Sequence, residues 1–259
     1  MKIHALLSWY DESATWLASL VASIAPLCDH LIAVDGSYQL YPGGRRASDP
    51  GQAEAIQTAA YAAGIGCTIH TPDARWFGNE VEKRAFMFRL GLAVAEPGED
   101  WFLVIDGDEL VTHPVPADKV RRELEQTDLD VAEVTLWQRM DPHTSDTLAD
   151  ITRLATIPRE STQPFRALFR ALPGLTVEGL HYVYTAVKDG RRVYLWHPPD
   201  TKAVQVEPAL DLTADVCLEH RNSCRDRARA ESSREYYSRR ERAGIEYAVR
   251  HGEAVTDGG

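Results

Sequence analysis

The sequence predicts an α/β protein with a mostly parallel sheet, helices on both faces, a smaller antiparallel part and a C-terminal helix. Three observations predict it. Up to residue 106, four short apolar runs alternate with stretches of helical periodicity, the pattern of parallel strands joined by crossover helices. Beyond residue 110 short strand-like runs follow closely, and "KDGR" (188–191) reads as a hairpin turn between two of them. A charged stretch from about Cys224 to Arg250 then carries helical spacing.

The elements follow in order. "IHALLS" (3–8) is a short apolar run, hence a buried strand. In "SATWLASLVASI" (13–24), Trp16, Leu17, Leu20, Val21 and Ile24 form one helical stripe, with Asp11 or Ser13 as N-cap. "HLIAVDGS" (30–37) is a second strand ending at Asp35. The loop "YPGGRRASDPG" (41–51) leads into the helix "QAEAIQTAAYAAG" (52–64), which Gly64 stops. "CTIHT" (67–71) is a third strand. Residues 79–95 form a helix with Val81, Ala85, Phe88 and Leu92 on the apolar face and Glu80, Lys83, Arg84 and Arg89 mostly elsewhere. "WFLVID" (101–106) is the fourth strand. "ADKVRRELEQT" (117–127) reads as a helix and "VAEVTLW" (131–137) as a strand. "RALFRALPGLTVEGLHYVYTAVKDGRRVYLWHP" (166–198) reads as short antiparallel strands, and "ADVCLEH" (214–220) as the last one.

With 259 residues and 44% hydrophobic composition, the chain can bury one large core. Residues 1–251 read as a single domain and 252–259 as a frayed tail. The net charge of −11 argues against a nucleic-acid-binding main surface. Four cysteines without a CxxC pair point to a reducing compartment. The first residues, "MKIHALLSWYDES", match neither a signal peptide nor a membrane span. The expectation is a cytoplasmic protein.

The chemistry is concentrated in "WFLVIDGDEL" (101–110), where a buried strand runs into Asp106, Asp108 and Glu109. Ligands of parallel α/β sheets bind outside the carboxyl ends of the strands, where Asp35 and Asp106 both lie. Such a cluster can cap a helix, lie solvated or hold a divalent cation. Two unit charges about 4 Å apart interact by roughly 4 kcal/mol at an effective dielectric near 20. A hard dication between carboxylates and a diphosphate turns that repulsion into attraction, and can stabilise a departing diphosphate.

"LIAVDGS", "WFGNEVEKR" and "DWFLVIDGDE" resemble the nucleotide-sugar-binding half of GT-A-fold (Rossmann-like) glycosyltransferases, in particular the family-2-like bacterial and phage enzymes. "ALFRALPGLTVEGLHYVY" is similar to their "FR…G…GxxH" segment. "VCLEHRNSCRDRARAESSREYYSRR" resembles their closing strand and helix. The resemblance covers residues 2–112, which would bind the donor, and 165–245, within a half (113–251) that would take the acceptor and complete the metal site.

The resemblance implies a metal-dependent transfer from a UDP- or GDP-sugar, inverting as most family-2-like members are, with retention as the alternative, and with Mn²⁺ or Mg²⁺ as cofactor. Ser8, Trp9 and Glu12 would line the base and ribose pocket, and Asp35 would hydrogen-bond base or ribose, with Gly36 allowing close approach. Arg84, with Lys83 as alternative, would face phosphates or sugar. Asp106, with Gly107 beside it, would reach the ribose or a metal-bound water. Asp108 would ligate the metal, and His220 would complete the site, which tilts the ion towards Mn²⁺. Glu178 is the first candidate for the base that deprotonates the acceptor, and Asp141 the second. His181 would bind substrate, although Tyr182 stands where the family often has Glu.

Each residue also has a plain structural reading. His181 fits a half-buried strand position, Lys83 and Arg84 a solvated helix face, and Trp9 and Trp76 the core. The "PGGRR" loop fits a lid or a loose connection. Arg221, Arg225, Arg227 and Arg229 fit internal pairing with Glu231 and Glu235. Trp137, Arg139, Met140 and His143 are candidates for acceptor contacts; the acceptor itself could be a protein, a glycan, a small molecule or a modified DNA base. The alternatives in function are a haloacid-dehalogenase-like phosphohydrolase and a non-catalytic nucleotide-sugar binder.

Overall fold

A computed structural model describes residues 1–77, 80–112, 115–139, 160–178, 183–196, 205–221, 231–239 and 242. The chain runs β1 (Ile3–Ser8), α1 (Ala14–Ile24), β2 (His30–Val34), α2 (Pro50–Ala63), β3 (Gly66–His70), α3 (Glu80–Leu92), β4 (Trp101–Asp106) and β5 (Glu109–Val111). It continues with α4 (Ala117–Gln126), β6 (Val131–Arg139), β7 (Glu160–Arg170), β8 (Thr176–Glu178), β9 (Val183–Lys188), β10 (Arg191–Trp196), β11 (Leu210–Asp211) and β12 (Cys217–His220). A last described helix, α5, spans 231–239.

The fold is α/β, with one large mixed sheet of order β3-β2-β1-β4-β7-β6-β12-β5 and a small antiparallel sheet β10-β9-β8. The first four strands pair in parallel, as the alternation predicts. Beyond β4 the sheet changes character. "RALFR", expected with the short antiparallel strands, belongs to β7, which enters the large sheet antiparallel between β4 and β6. β12 then lies parallel to β6 and antiparallel to β5.

Strand alternation feeds two cores. On β1, Ala5 and Leu7 face α1, α2 and α4, while Leu6 faces α3 and the small sheet. On β4, Leu103 and Ile105 take the first side, Phe102 and Val104 the second. Leu17, Leu20 and Ile24 of the expected α1 stripe are fully buried. Ser13 occupies the N-cap position of α1 but makes no side-chain cap bond. Gly64 ends α2 in the left-handed conformation at φ 72°. Asp189 and Gly190, at φ 53° and 72°, join β9 to β10, which is the conformation a tight hairpin turn requires.

The expected orientation of α3 is corrected. Phe88 is buried, but so are Glu80, Lys83 and Arg84, while Val81, Ala85 and Leu92 are only half-buried. The charged side turns inward because distant groups satisfy it: backbone carbonyls for Lys83, Asp106 for Arg84 and Tyr236 for Glu80. No helix among the described residues is long and apolar enough to cross a membrane.

Candidate functional site

The parallel register sets Ser8 opposite Asp106, so the ends of β1 and β4 open at one rim. The Gly107 amide donates to the Ser8 carbonyl at 2.9 Å and extends the pairing past the strand end. A Cβ on Gly107 would come within 3.0 Å of Glu12 Cγ and Trp9 Cβ, so the absence of a side chain allows this close approach. β12 arrives from the far half of the sheet with His220 opposite Glu109.

The three carboxylates meet three different environments. Asp106 accepts from Arg84 Nη2 through both oxygens, at 2.7 and 2.5 Å. Asp108 is buried, with Oδ2 3.1 Å from His220 Nε2, while its carbonyl accepts from the Arg221 amide at 2.7 Å. Glu109 is buried and accepts from the Asp106 amide at 2.8 Å. Burial, followed by the charges of Asp106 and Asp108, pushes the Glu109 carboxyl up to about 8. Burial alone would lower the His220 imidazole, but the Asp108 hydrogen bond and the surrounding carboxylates hold it above its ordinary value.

One cavity gathers these groups. Ser8, Trp9, Glu12, Arg84, Asp106, Gly107, Asp108 and His220 all line it. Sequence reasoning missed the rest of its wall: Tyr10, Tyr38, Tyr41, Glu80, Ser233, Tyr236 and Tyr237. Tyr10 meets Tyr41 edge-on at 5.5 Å between ring centroids, and Tyr236 lies 5.4 Å from Tyr38 and 5.9 Å from Tyr41. The Tyr236 hydroxyl donates to Glu80 Oε2. The available signals were the tyrosines of "SYQLYPGG" and the "YY" of the closing helix, which local periodicity does not bring together.

Other expected residues lie apart. Lys83 is fully buried and donates to the carbonyls of Trp9 (2.6 Å) and Gly36 (3.0 Å), tying the loops after β1 and β2. Asp35 borders a second hollow with Arg45 and Arg46. Its carboxylate accepts from the Gly36 amide and from the Ser48 amide and hydroxyl at 2.6 to 2.8 Å. Gly36, at φ 105°, sits so close to Pro72, Trp76 and the Arg46 carbonyl that a Cβ would clash. Glu178, on the small sheet, accepts from Thr185 at 2.7 Å and pairs with Arg192 at 2.5 Å; it does not line the cavity. Trp137 lies in β6, half-buried, and Arg139 ends that strand. Asp141, Met140, His143, His181, Tyr182, Arg225, Arg227 and Arg229 lie outside the described residues.

Among the described residues, no group of three or more His, Cys, Asp or Glu side chains is placed to hold a metal ion. Asp108 Oδ2 and His220 Nε2 face each other across a hydrogen bond of 3.1 Å, so they could serve an ion only after the imidazole gives up that proton. Neither a scan against protein-family models nor a search of curated proteins returns a match for this chain.

Proposed function

We propose that the protein is a metal-dependent glycosyltransferase that moves a sugar from a UDP- or GDP-sugar to an acceptor nucleophile, with inversion. The supporting observation is a convergence: the ends of β1, β4 and β12 and the inner face of α3 bring Ser8, Glu12, Arg84, Asp106, Asp108 and His220 around one cavity. The GT-A reading of the fold draws on the β3-β2-β1-β4 half of the sheet, with the site at its carboxyl edge. Free Cys28, Cys67 and Cys217 support a reducing, cytoplasmic setting.

In this reading Asp108 and His220 would hold Mn²⁺ or Mg²⁺, and the chemistry such an ion would supply is electrostatic stabilisation of charge on the departing diphosphate. Arg84, which lines the cavity, keeps a fixed positive charge beside Asp106 that would favour the donor's phosphates. Buried Glu12 and Ser8 supply polar contacts to the nucleoside. Glu178, paired with Arg192 outside the cavity lining, does not serve as the base that deprotonates the acceptor in this reading. The phosphohydrolase alternative needs Asp106 as a nucleophile, and the two-pronged Arg84 contact counts against it.

The test is a thermal-shift panel of nucleotide sugars with and without Mn²⁺. A donor at 100 times its dissociation constant should add about 2.7 kcal/mol of stability. If every UDP- and GDP-sugar leaves the midpoint unmoved with Mn²⁺ present, the reading fails.

A further inference from the structure

Resting on the donor-site reading above, we propose that Tyr184, on the small antiparallel sheet, is a positioning residue that fixes where Arg84 carries its charge beside the donor's phosphates. Tyr184 lies in β9, the middle strand of that sheet, opposite Val177 of β8 and Trp196 of β10. Its side chain is 7% exposed and packs between the small sheet, the large sheet and α3. Three rings hold it. Phe169 of β7 stacks on it, with centroids 4.8 Å and planes 11° apart. Phe88 of α3 and Trp196 meet it edge-on at 5.9 and 6.0 Å. A ring enclosed in this way has little room to shift, so its hydroxyl has a defined place.

That hydroxyl hydrogen-bonds the Arg84 guanidinium. Arg84 and Phe88 stand four residues apart on α3, on the same helix face, so the ring contact and the hydroxyl contact belong to one fit. From the other side Asp106, at the end of β4, accepts from Arg84 Nη2 at 2.7 and 2.5 Å. The guanidinium is thus spanned between a carboxylate of the large sheet and a phenol of the small one. The two partners differ in kind. Asp106 draws the guanidinium to the rim and offsets part of its charge. Burial raises the Tyr184 phenol above its ordinary value, so at neutral pH it orients the guanidinium without opposing that charge.

Packing alone would be met by a phenylalanine at this position. A buried hydroxyl needs a polar partner, and Arg84 is the partner it meets. Tyr184 does not line the cavity, so it acts through Arg84 and not on a ligand. The next residue, Thr185, turns to the opposite face of β9 and donates to Glu178 at 2.7 Å. An arginine side chain has many rotamers to lose, and contacts that remove them in advance spare the ligand that cost. In this way the small sheet becomes part of the donor site.

The test is titration calorimetry of the full chain with UDP, GDP and their nucleosides in the presence of Mn²⁺. Tyr184→Phe removes the hydroxyl and keeps the ring. It should weaken the diphosphate that the wild type binds by roughly 10-fold or more, since the charge that faces the phosphates is no longer held in place. The matching nucleoside, which lacks phosphates, should keep its affinity within about twofold. A folded variant that binds the diphosphate within about twofold of wild type overturns the inference and leaves the glycosyltransferase reading standing. An equal loss for nucleoside and diphosphate also overturns it, because the whole cavity would then be disturbed. A crystal structure of the wild type with Mn²⁺ and the diphosphate decides the matter even if the variant fails to fold. Arg84 should keep the Tyr184 hydroxyl while it faces the phosphates, and a guanidinium that has left that hydroxyl overturns the proposal. Failure of both diphosphates to bind the wild type overturns this inference; failure of the full nucleotide-sugar panel overturns the reading beneath it.

Discussion

Arg84 and Asp106 form a two-pronged pair across 22 residues, with the guanidinium 10% and the carboxylate 36% exposed as side chains. The arginine compensates Asp106 at a rim where His220 meets Asp108. Arg84→Met should therefore cost more than an ordinary surface pair. We expect a loss of about 2–3 kcal/mol in urea unfolding, below the cost of breaking a fully buried pair because Asp106 keeps some water. A loss under about 0.5 kcal/mol would show that the rim does not need this charge.

The metal-free protein should lose stability as pH rises. Glu109 moves from an ordinary 4.5 to about 8, and His220 is also raised, so the folded state holds these protons more tightly than the unfolded chain does. The contribution of Glu109 is complete below about 4.5 and is lost as pH climbs through about 8. That of His220 is complete below its ordinary 6.5 and fades above it. Melting temperature followed from pH 5 to 8.5 should fall, and Glu109→Gln should flatten the slope. An unchanged slope in that variant removes Glu109 as its cause.

Asp108→Asn should keep the fold and lose metal-dependent donor hydrolysis by about a hundredfold or more. The substitution keeps the shape and the contact distance to His220 but removes the anionic ligand. Circular dichroism reports the fold, and nucleotide release with and without Mn²⁺ reports the activity. Full hydrolysis in this variant would exclude Asp108 as an essential ligand.

Lys83→Met should separate architecture from binding. Its ammonium joins the Trp9 and Gly36 carbonyls behind the cavity wall rather than within it. We expect about 2–4 kcal/mol of lost stability, because two buried carbonyls lose a charged donor. Donor affinity measured well below the melting temperature should change less than about threefold. A large affinity loss with stability intact would put Lys83 on the phosphates.

The first four strands were legible because short apolar runs alternating with helical stripes leave few other arrangements. The carboxyl-end rim was legible for the same reason: a strand reading "WFLVID" must deliver Asp106 to its end. The inward face of α3 was not, since Arg84, Lys83 and Glu80 are satisfied by partners 22, 74 and 156 residues away. Hydrophobic periodicity treats an uncompensated charge and a compensated one alike. The tyrosine wall was hidden for a related reason: its rings come from the loop after β1, the loop after β2 and α5, and only tertiary packing joins them. The position of β7 lay beyond local pattern too, because strand order between distant segments leaves no periodic trace.

The place of β7 has a consequence for the protein's birth on the ribosome. β1 to β4 can pair as soon as they emerge, but the neighbour that covers the outer margin of β4 is made only with residues 160–170. Until then the nascent chain carries an uncovered row of amide and carbonyl groups along Trp101, Phe102 and Leu103. That is the kind of margin on which chains adhere to one another. Truncated or stalled products ending before β7 should accordingly be the ones that chaperones retain and that precipitate without them.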